Sequence, residues 1–371
     1  MDRVKKSLLD NQSVIVSILA LVMALIVISL ILIATNRNPL DAFYYFSVGA
    51  FGTVSNTANT ISRVIPLSIA GCAFLIGAKT GAFNVGIEGQ LLLGALASAV
   101  VGYAVKLPAV LHLPLMLIAG MVAGGLWGFV PGWLKTYRGV NEILSTIMLN
   151  YPALYFCHFM TIKVLKAEGV VPATPMIEAT AKLPTLIAGT RLHAGIFIAL
   201  LVIFLTYMFF KHTVLGYEMR AVGINRDAAR YHGIPVEKRM LQSFVLGGIL
   251  AGLAGAVEIA GVHYRFLDQF SPGYGYDSIT VALLGLLSPI GVLFSATLFG
   301  ALKTGSLEMA VFTDIPRQLV TLIQGVVILF IAAQNLLRQG VVSIATDRPK
   351  ISPEDEKVLT EPKLETEEKA K

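Results

Sequence analysis

At 371 residues, 55% hydrophobic and only 14% charged, with a mean hydropathy of +0.73, the chain lacks the charge to clothe a water-soluble globule. Charged residues usually make up about a quarter of a soluble chain, so most of this one must be an integral membrane bundle. Its formal charge of +6 does not signal nucleic acid, because the basic residues fall between apolar runs, as the Lys/Arg bias of cytoplasmic loops requires.

Arg3, Lys5 and Lys6 precede the first apolar run, Val14 to Ala34, and place residues 1–13 in the cytoplasm. That run is too long for the apolar core of a signal peptide and lacks a small-residue cleavage site, so it reads as a retained membrane helix. The polar TNRNP (Thr35 to Pro39) ends it, and Asp41 to Asn59 reads as an external interfacial stretch. A second helix runs from about Ile61 to Ala78. Then comes GAKTGAFNVGIEGQLLL (Gly77 to Leu93), a polar, glycine-rich break between apolar flanks. Such backbone is tolerated at membrane depth only under cover of protein or beside a water-filled cavity.

The third helix spans about Ile87 to Tyr103, and the fourth about Pro114 to Leu134. The latter carries Gly120, Gly124, Gly128 and Gly132 at strict four-residue spacing, a ridge that lets helix backbones approach closely. The fifth runs from Val140 to about Ile162 and opens on the polar GVNEILSTIMLN (Gly139 to Asn150). A polar connection, Lys163 to His193, leads to the sixth, about Ala194 to Phe210. Lys211 to Arg239 is basic and reads as a cytoplasmic loop, with Asn225 to Tyr231 a short surface helix stopped by Gly233 and Pro235. The seventh helix covers Met240 to about Val262, with Gly247, Gly248, Gly252 and Gly255 along it. Ser278 to Leu287 is too short to cross about 30 Å at 1.5 Å per residue and reads as a partial span. Val292 to Phe312 and Gln318 to Leu337 complete the set. The expected fold is an all-α polytopic membrane bundle of about ten segments with both termini cytoplasmic. Residues 14–337 form the permeation domain, and residues 338–371 form a charged tail without apolar periodicity.

Chemistry at a catalytic centre is not written in this sequence. There is no GxxxxGK[ST] phosphate loop. Six scattered histidines and the two cysteines, Cys72 and Cys157, have no metal-ligand spacing, so no catalytic residue, metal or cofactor is expected. What remains are ionisable and amide groups near membrane depth, which are costly and therefore functional candidates. Glu88, Glu142, Glu258 and Glu308 are the acids. They would serve as ion ligands in a gradient-driven carrier, or as gate and hydrogen-bonding groups. Asn84, Gln90, Asn141, Ser145, Thr146 and Asn150 suit the passage of a polar, uncharged solute, and equally suit interhelical hydrogen bonding.

Three stretches resemble one known family: GAFNVGIEGQLLLGA (Gly81 to Ala95), RGVNEILSTIMLNY (Arg138 to Tyr151) and MRAVGINRDAARYHGI (Met219 to Ile234). They are similar to permease subunits of branched-chain/ribose-type ABC importers, more narrowly the nucleoside or simple-sugar branch. The likeness covers about Leu40 to Leu337. It implies a permease in a bacterial plasma membrane, embedded in lipid. Its implied partners are a separate ABC ATPase subunit, a second homologous permease forming a heterodimer, and an extracytoplasmic solute-binding lipoprotein. It implies that Asn225, Arg226, Asp227, Ala228, Ala229, Arg230 and Gly233 couple to the ATPase. Asn84, Glu88, Gln90, Asn141, Glu142, Thr146 and Asn150 are expected to shape the inner gate and pathway. Nucleosides are the favoured cargo, with pentoses and an ion-coupled carrier as alternatives.

Overall fold

Glycines set the centre of the bundle. In the computed structural model, which describes residues 22–313 and then 315, 316, 319, 322–326, 329 and 330, the larger of two compact units is residues 32–324. The smaller, residues 1–31 with 325–371, is described only as apolar helix at 22–31 and helical residues at 325, 326, 329 and 330. In chain order the helices are α1 (Val22–Ala34), α2 (Pro39–Ser47), α3 (Val54–Lys79), α4 (Ile87–Ala104), α5 (Ala109–Arg138) and α6 (Glu142–Phe159). There follow α7 (Gly195–His212), α8 (Val214–Ile224), α9 (Arg226–Tyr231), α10 (Val236–Glu258), α11 (Tyr274–Leu284) and α12 (Pro289–Phe312). Among the described residues there is no strand, and seven helices are long and apolar enough to cross a membrane: α3, α4, α5, α6, α7, α10 and α12, with α6 and α10 prolonged by π turns.

Helix α10 is central because its small residues turn to three neighbours at once. A methyl group on Gly248 or Gly252 would strike the backbone of Gly124 or Gly120 on α5. One on Gly255 would strike the Leu91 carbonyl on α4, and one on Gly247 would come within 3.0 Å of the Ala73 carbonyl on α3. From the other side, a methyl on Gly128 would meet the Phe244 carbonyl at 2.6 Å. The four-residue glycine ridge of α5 is thus a seam of backbone contact, which supplies dispersion where lipid removes the hydrophobic drive between helices. Helices α3, α10 and α4 are mostly buried, whereas α5, α6 and α7 form the periphery with about a third of their apolar windows covered.

The ends of the elements depart from the sequence expectation for local reasons. Asp41 to Asn59 is mostly helical. Asn38 accepts from the Leu40 amide at 3.0 Å and Pro39 takes the first helical position, so α2 forms, followed by a π turn over Val48–Gly52. Thr53 then caps α3 by accepting from Asn56 at 3.0 Å, starting that helix well before Ile61. The basic loop at 211–239 is largely helical as well, because Thr213 caps α8 through the Gly216 amide at 3.0 Å. At the start of α7 the Gly195 amide donates to His193 Nδ1 at 3.1 Å, and burial pushes the imidazole below its ordinary pKa, so the ring is a neutral acceptor. The expected partial span is α11. It turns into α12 through Leu286 and Leu287, both left-handed at φ 53° and 51°. The helix expected at Gln318 to Leu337 and the tail at 338–371 lie largely or wholly outside the described residues, as do residues 1–13.

Replacing Gly252 with leucine should drive the α4, α5 and α10 backbones apart. Overpacking of this kind costs on the order of 1–3 kcal/mol. The expected result is a lower midpoint in a thermal unfolding series of the detergent-solubilised protein. Gly325→Ala, where nothing among the described residues lies within 4 Å of the added methyl, should not lower the midpoint, since alanine favours the helix over glycine.

Candidate functional site

Residues 80–86 leave the end of α3 and double back along it before α4 begins. Gly81 takes φ +76° to reverse the chain, and the Ala82 amide closes on the Gly77 carbonyl at 2.9 Å. From there the backbone runs among helices without a ladder of its own, and side chains complete it. The Val85 amide donates to Thr146 Oγ1 at 3.2 Å, and the Gly89 amide to Asn150 Oδ1 at 2.9 Å. Asn150 Nδ2 in turn donates to the Val85 carbonyl at 3.1 Å. Asn84 accepts from the Gly86 amide at 3.0 Å and donates to Gln90 Oε1 at 3.1 Å. Asn84, Gln90, Thr146 and Asn150 are all buried; Thr146 and Asn150 join α6 to the break, while Asn84 and Gln90 tie the break to the first turn of α4.

Glu88 goes further. It is 7% exposed, and its carboxylate accepts from the Gly275 amide at 2.6 Å, at the first turn of α11. That helix has no side-chain cap from its own N-cap residue, Gly273. Ser271 Oγ accepts from the Tyr274 amide at 3.3 Å, and a carboxylate from α4 serves the next amide, Gly275, at the positive end of α11. Asn141 and Glu142 stand apart from this cluster. Asn141 caps α6 by accepting from Ile143 and Leu144, at 3.0 and 3.2 Å, and Glu142 pairs with Lys135 of α5 at 2.5 Å.

Two polar cavities flank the start of α11. The smaller, about 290 Å³, is lined by Glu88, Asn150, Tyr151, Gln269, Ser271 and Tyr276, so it holds two of the residues expected from the sequence. The larger, about 450 Å³, lies where α3 begins and where α10 and α12 finish. That volume falls within the roughly 300–1,000 Å³ of small-molecule sites. Arg63, Arg191, Glu258 and Glu308 line it together with Asn59 and Tyr274. Glu258 is 4% exposed, and its nearest charged neighbour is His263 Nε2 at 3.6 Å. Along the chain entering α11, Pro272 and Tyr274 line the larger cavity while Ser271 and Gly273 line the smaller. Asp277 on the next turn of α11 is held to Lys303 of α12 at 2.6 Å.

The opposite end of α3 carries a helical platform. Asn225 caps α9 by accepting from the Asp227 and Ala228 amides, each at 3.0 Å, and Gly233 at φ +76° ends it. Ala229 is 4% exposed and packs with Ala82 of the break, Val222 of α8, and Met240 and Phe244 of α10. Arg226 donates to the Gly81 carbonyl at 2.8 Å. Arg230 is surface-held by Glu237 at 2.6 Å and Asp227 at 3.7 Å. Asp227 and Ala228 are exposed. Tyr231 is 92% and Ile224 86% exposed, two large apolar groups that sequence reasoning passed over.

The larger cavity was also missed as a site. Glu258 and Glu308 were legible as costly acids, but Arg63 sits at the edge of an apolar run and gave no signal.

Comparison with known proteins finds relatives along most of the chain. The family model described as the permease component of branched-chain amino acid transport systems matches residues 56–332. The guanosine ABC transporter permease protein NupP of Bacillus subtilis (strain 168) is 36% identical over 327 residues, covering 87% of this chain and 94% of its own length. The glucose ABC transporter permease protein TsgB13 of Haloferax volcanii is 36% identical over 343 residues, covering 89% of this chain and 90% of its own. The nucleoside ABC transporter permease protein NupB of Lactococcus lactis subsp. cremoris (strain MG1363) is 34% identical over 338 residues, covering 88% and 93% respectively.

Asn150→Ala should strand the Gly89 amide and the Val85 carbonyl together. Each buried unsatisfied group costs about 1–3 kcal/mol. A thermal unfolding midpoint several degrees below wild type is expected, while Asn141→Ala, at an exposed cap, should cost less.

Proposed function

The chain belongs to the family of permease components of branched-chain amino acid transport systems, and on that premise we propose that it forms the membrane pathway of an ATP-driven nucleoside importer. It is a transport subunit of the plasma membrane, and the family leaves ATP hydrolysis to a separate subunit. The observation that carries the choice of cargo is the end-to-end likeness to NupP, at 36% identity over 94% of that protein. Equal identity to TsgB13 keeps a simple-sugar permease as the second reading.

The proposal extends to topology and partners. The bundle has about ten membrane segments: the seven long helices, α1, the half-helix α11, and the segment at 318–337. Both termini and α9 face the cytoplasm, and the larger cavity faces out. The ATPase docks on α9. Its exposed Ala228 and Tyr231, with Ile224 at the end of α8, offer a small apolar footprint, ringed by Asp227 and Arg230 for polar contacts. A second, homologous permease completes the pathway as a heterodimer, and a solute-binding lipoprotein delivers cargo to the outer cavity. ATP binding shifts the paired bundle between inward- and outward-facing populations. In this scheme Asn84, Glu88, Gln90, Thr146 and Asn150 are the fixed joint about which the gate works. Asn141 and Glu142 shape the cytoplasmic start of α6.

Deleting the gene should abolish uptake of labelled guanosine by cells, as should inactivating the partner ATPase. Uptake that survives ATPase loss and follows an ion gradient would identify a secondary carrier instead. Uptake of labelled pentose or glucose but not guanosine would establish the sugar reading.

Coupling is tested most cleanly on the exposed face of α9. Tyr231→Ala and Arg230→Glu should leave the protein folded and membrane-inserted while lowering ATP-driven uptake at least tenfold, a loss of about 1.4 kcal/mol in coupling. Ala229→Asp would test packing instead, because Ala229 lies in the core beneath α9. Normal transport by both surface variants would remove α9 from the docking site.

A further inference from the structure

The larger cavity holds more uncommitted chemistry than a structural void requires. Glu258 is a carboxylate nine-tenths buried, yet no side chain or amide among the described residues donates a hydrogen bond to it, and His263 is the one basic side chain among them within 4 Å. A buried carboxylate without donors is costly, and its two oxygens offer about four lone-pair sites. Across the cavity, Asn59, Arg63 and Arg191 make no side-chain hydrogen bond or ion pair among the described residues. Donors and acceptors therefore face the same space of about 450 Å³ without using one another.

We propose that this cavity is a solute-binding station for a neutral polyhydroxylated molecule, whose vicinal hydroxyls donate to Glu258 while Asn59 and Arg63 donate to acceptors at its other end. The proposal rests on the importer reading above and assigns the cargo a place within it. Charge supports neutrality: the two arginines and two glutamates on the walls cancel, so an anionic solute drawn to Arg63 would also meet Glu258 and Glu308. Geometry supports a flat ring at one end. Phe270 and Tyr274 both border the cavity, and Phe270 meets the His263 ring edge-on at 5.4 Å between centroids. A purine or pyrimidine lies on such faces, whereas a ribose presents two adjacent hydroxyl donors to one carboxylate. The rival with the same footprint is a zwitterionic amino acid, its carboxylate at Arg63 and its ammonium group at Glu258. The test separates the two.

The assembled transporter, reconstituted in liposomes with ATP, would be assayed for uptake of guanosine, 2′,3′-dideoxyguanosine and leucine. A site that hydrogen-bonds hydroxyls rejects the analogue lacking them. Wild type should therefore favour guanosine over the dideoxy compound by at least about tenfold in kcat/KM. Glu258→Gln should bring that ratio to within about threefold by raising KM for guanosine, with dideoxyguanosine uptake unchanged. A loss of folding alone would lower both nucleosides together and leave the ratio in place. Arg63→Gln should raise KM for both nucleosides and preserve their ratio. If Glu258→Gln does not assemble, protection decides: guanosine should slow carbodiimide labelling of Glu258, read by mass spectrometry, and dideoxyguanosine should not. Wild-type guanosine uptake with an unchanged ratio in Glu258→Gln, or with no protection of Glu258, overturns this site and leaves the importer reading standing. No nucleoside uptake by wild type, with leucine transported instead, overturns both.

Discussion

The structure depends on keeping a stretch of irregular backbone satisfied inside a helix bundle. Residues 80–86 bring amides and carbonyls into a region where water does not reach them, and each group left unpaired there costs several kcal/mol. The chain meets this constraint with four amide or hydroxyl side chains, Asn84, Gln90, Thr146 and Asn150. Thr146 and Asn150 link the break to α6, and Asn84 with Gln90 links it to α4. Only then can α4 start partway along the bundle, with Glu88 on its first turn turned toward α11. At the start of α11 Ser271 accepts from the Gly273 and Tyr274 amides, and the Glu88 carboxylate completes the cap at the Gly275 amide.

A contiguous set of contacts follows from this arrangement. Arg226 and Ala229 of α9 touch Gly81 and Ala82, the first residues of the break. The break reaches Glu88, Glu88 holds Gly275, and the neighbouring Tyr274 lines the larger cavity. Helix α9 and the cavity lie at opposite ends of α3 yet are joined by packed or hydrogen-bonded neighbours throughout. Contiguity is a requirement for coupling and not a demonstration of it, which only a shared two-state element supplies. The half-helix is well placed to be that element, because it stands between the two polar cavities and its polar ties include the Glu88 carboxylate, Asn150 on Tyr276 and the ion pair of Asp277 with Lys303.

Much of this was legible in the sequence because long apolar runs and glycine spacing are local signals. The α5 ridge read as a packing surface, and the contacts with Gly248 and Gly252 are that surface. Asn225 and Gly233 marked the limits of α9, and both act there as cap and stop. What was not legible were short helices whose formation turns on a single cap, α2 on Asn38 and α8 on Thr213. Nor was the partner of each polar residue. Asn84 and Asn150 were recognisable as amides with two possible uses, and only the fold shows that each is consumed by backbone. The cavity was hidden for the same reason. Arg63, Arg191, Glu258 and Glu308 are spread over 246 positions from first to last, 63 to 308 inclusive, and nothing in their local sequence says that they meet.

The central claim is that the Glu88 carboxylate fixes the start of α11 between the two cavities. Hydrogen–deuterium exchange over residues 271–284, in the full protein in detergent or nanodiscs, tests it most directly. In Glu88→Ala, amides at the start of α11 should lose protection, those of α10 should keep theirs, and Glu88→Gln, which retains an acceptor oxygen, should recover part of the loss. Unchanged protection at 271–284 in Glu88→Ala would contradict the account.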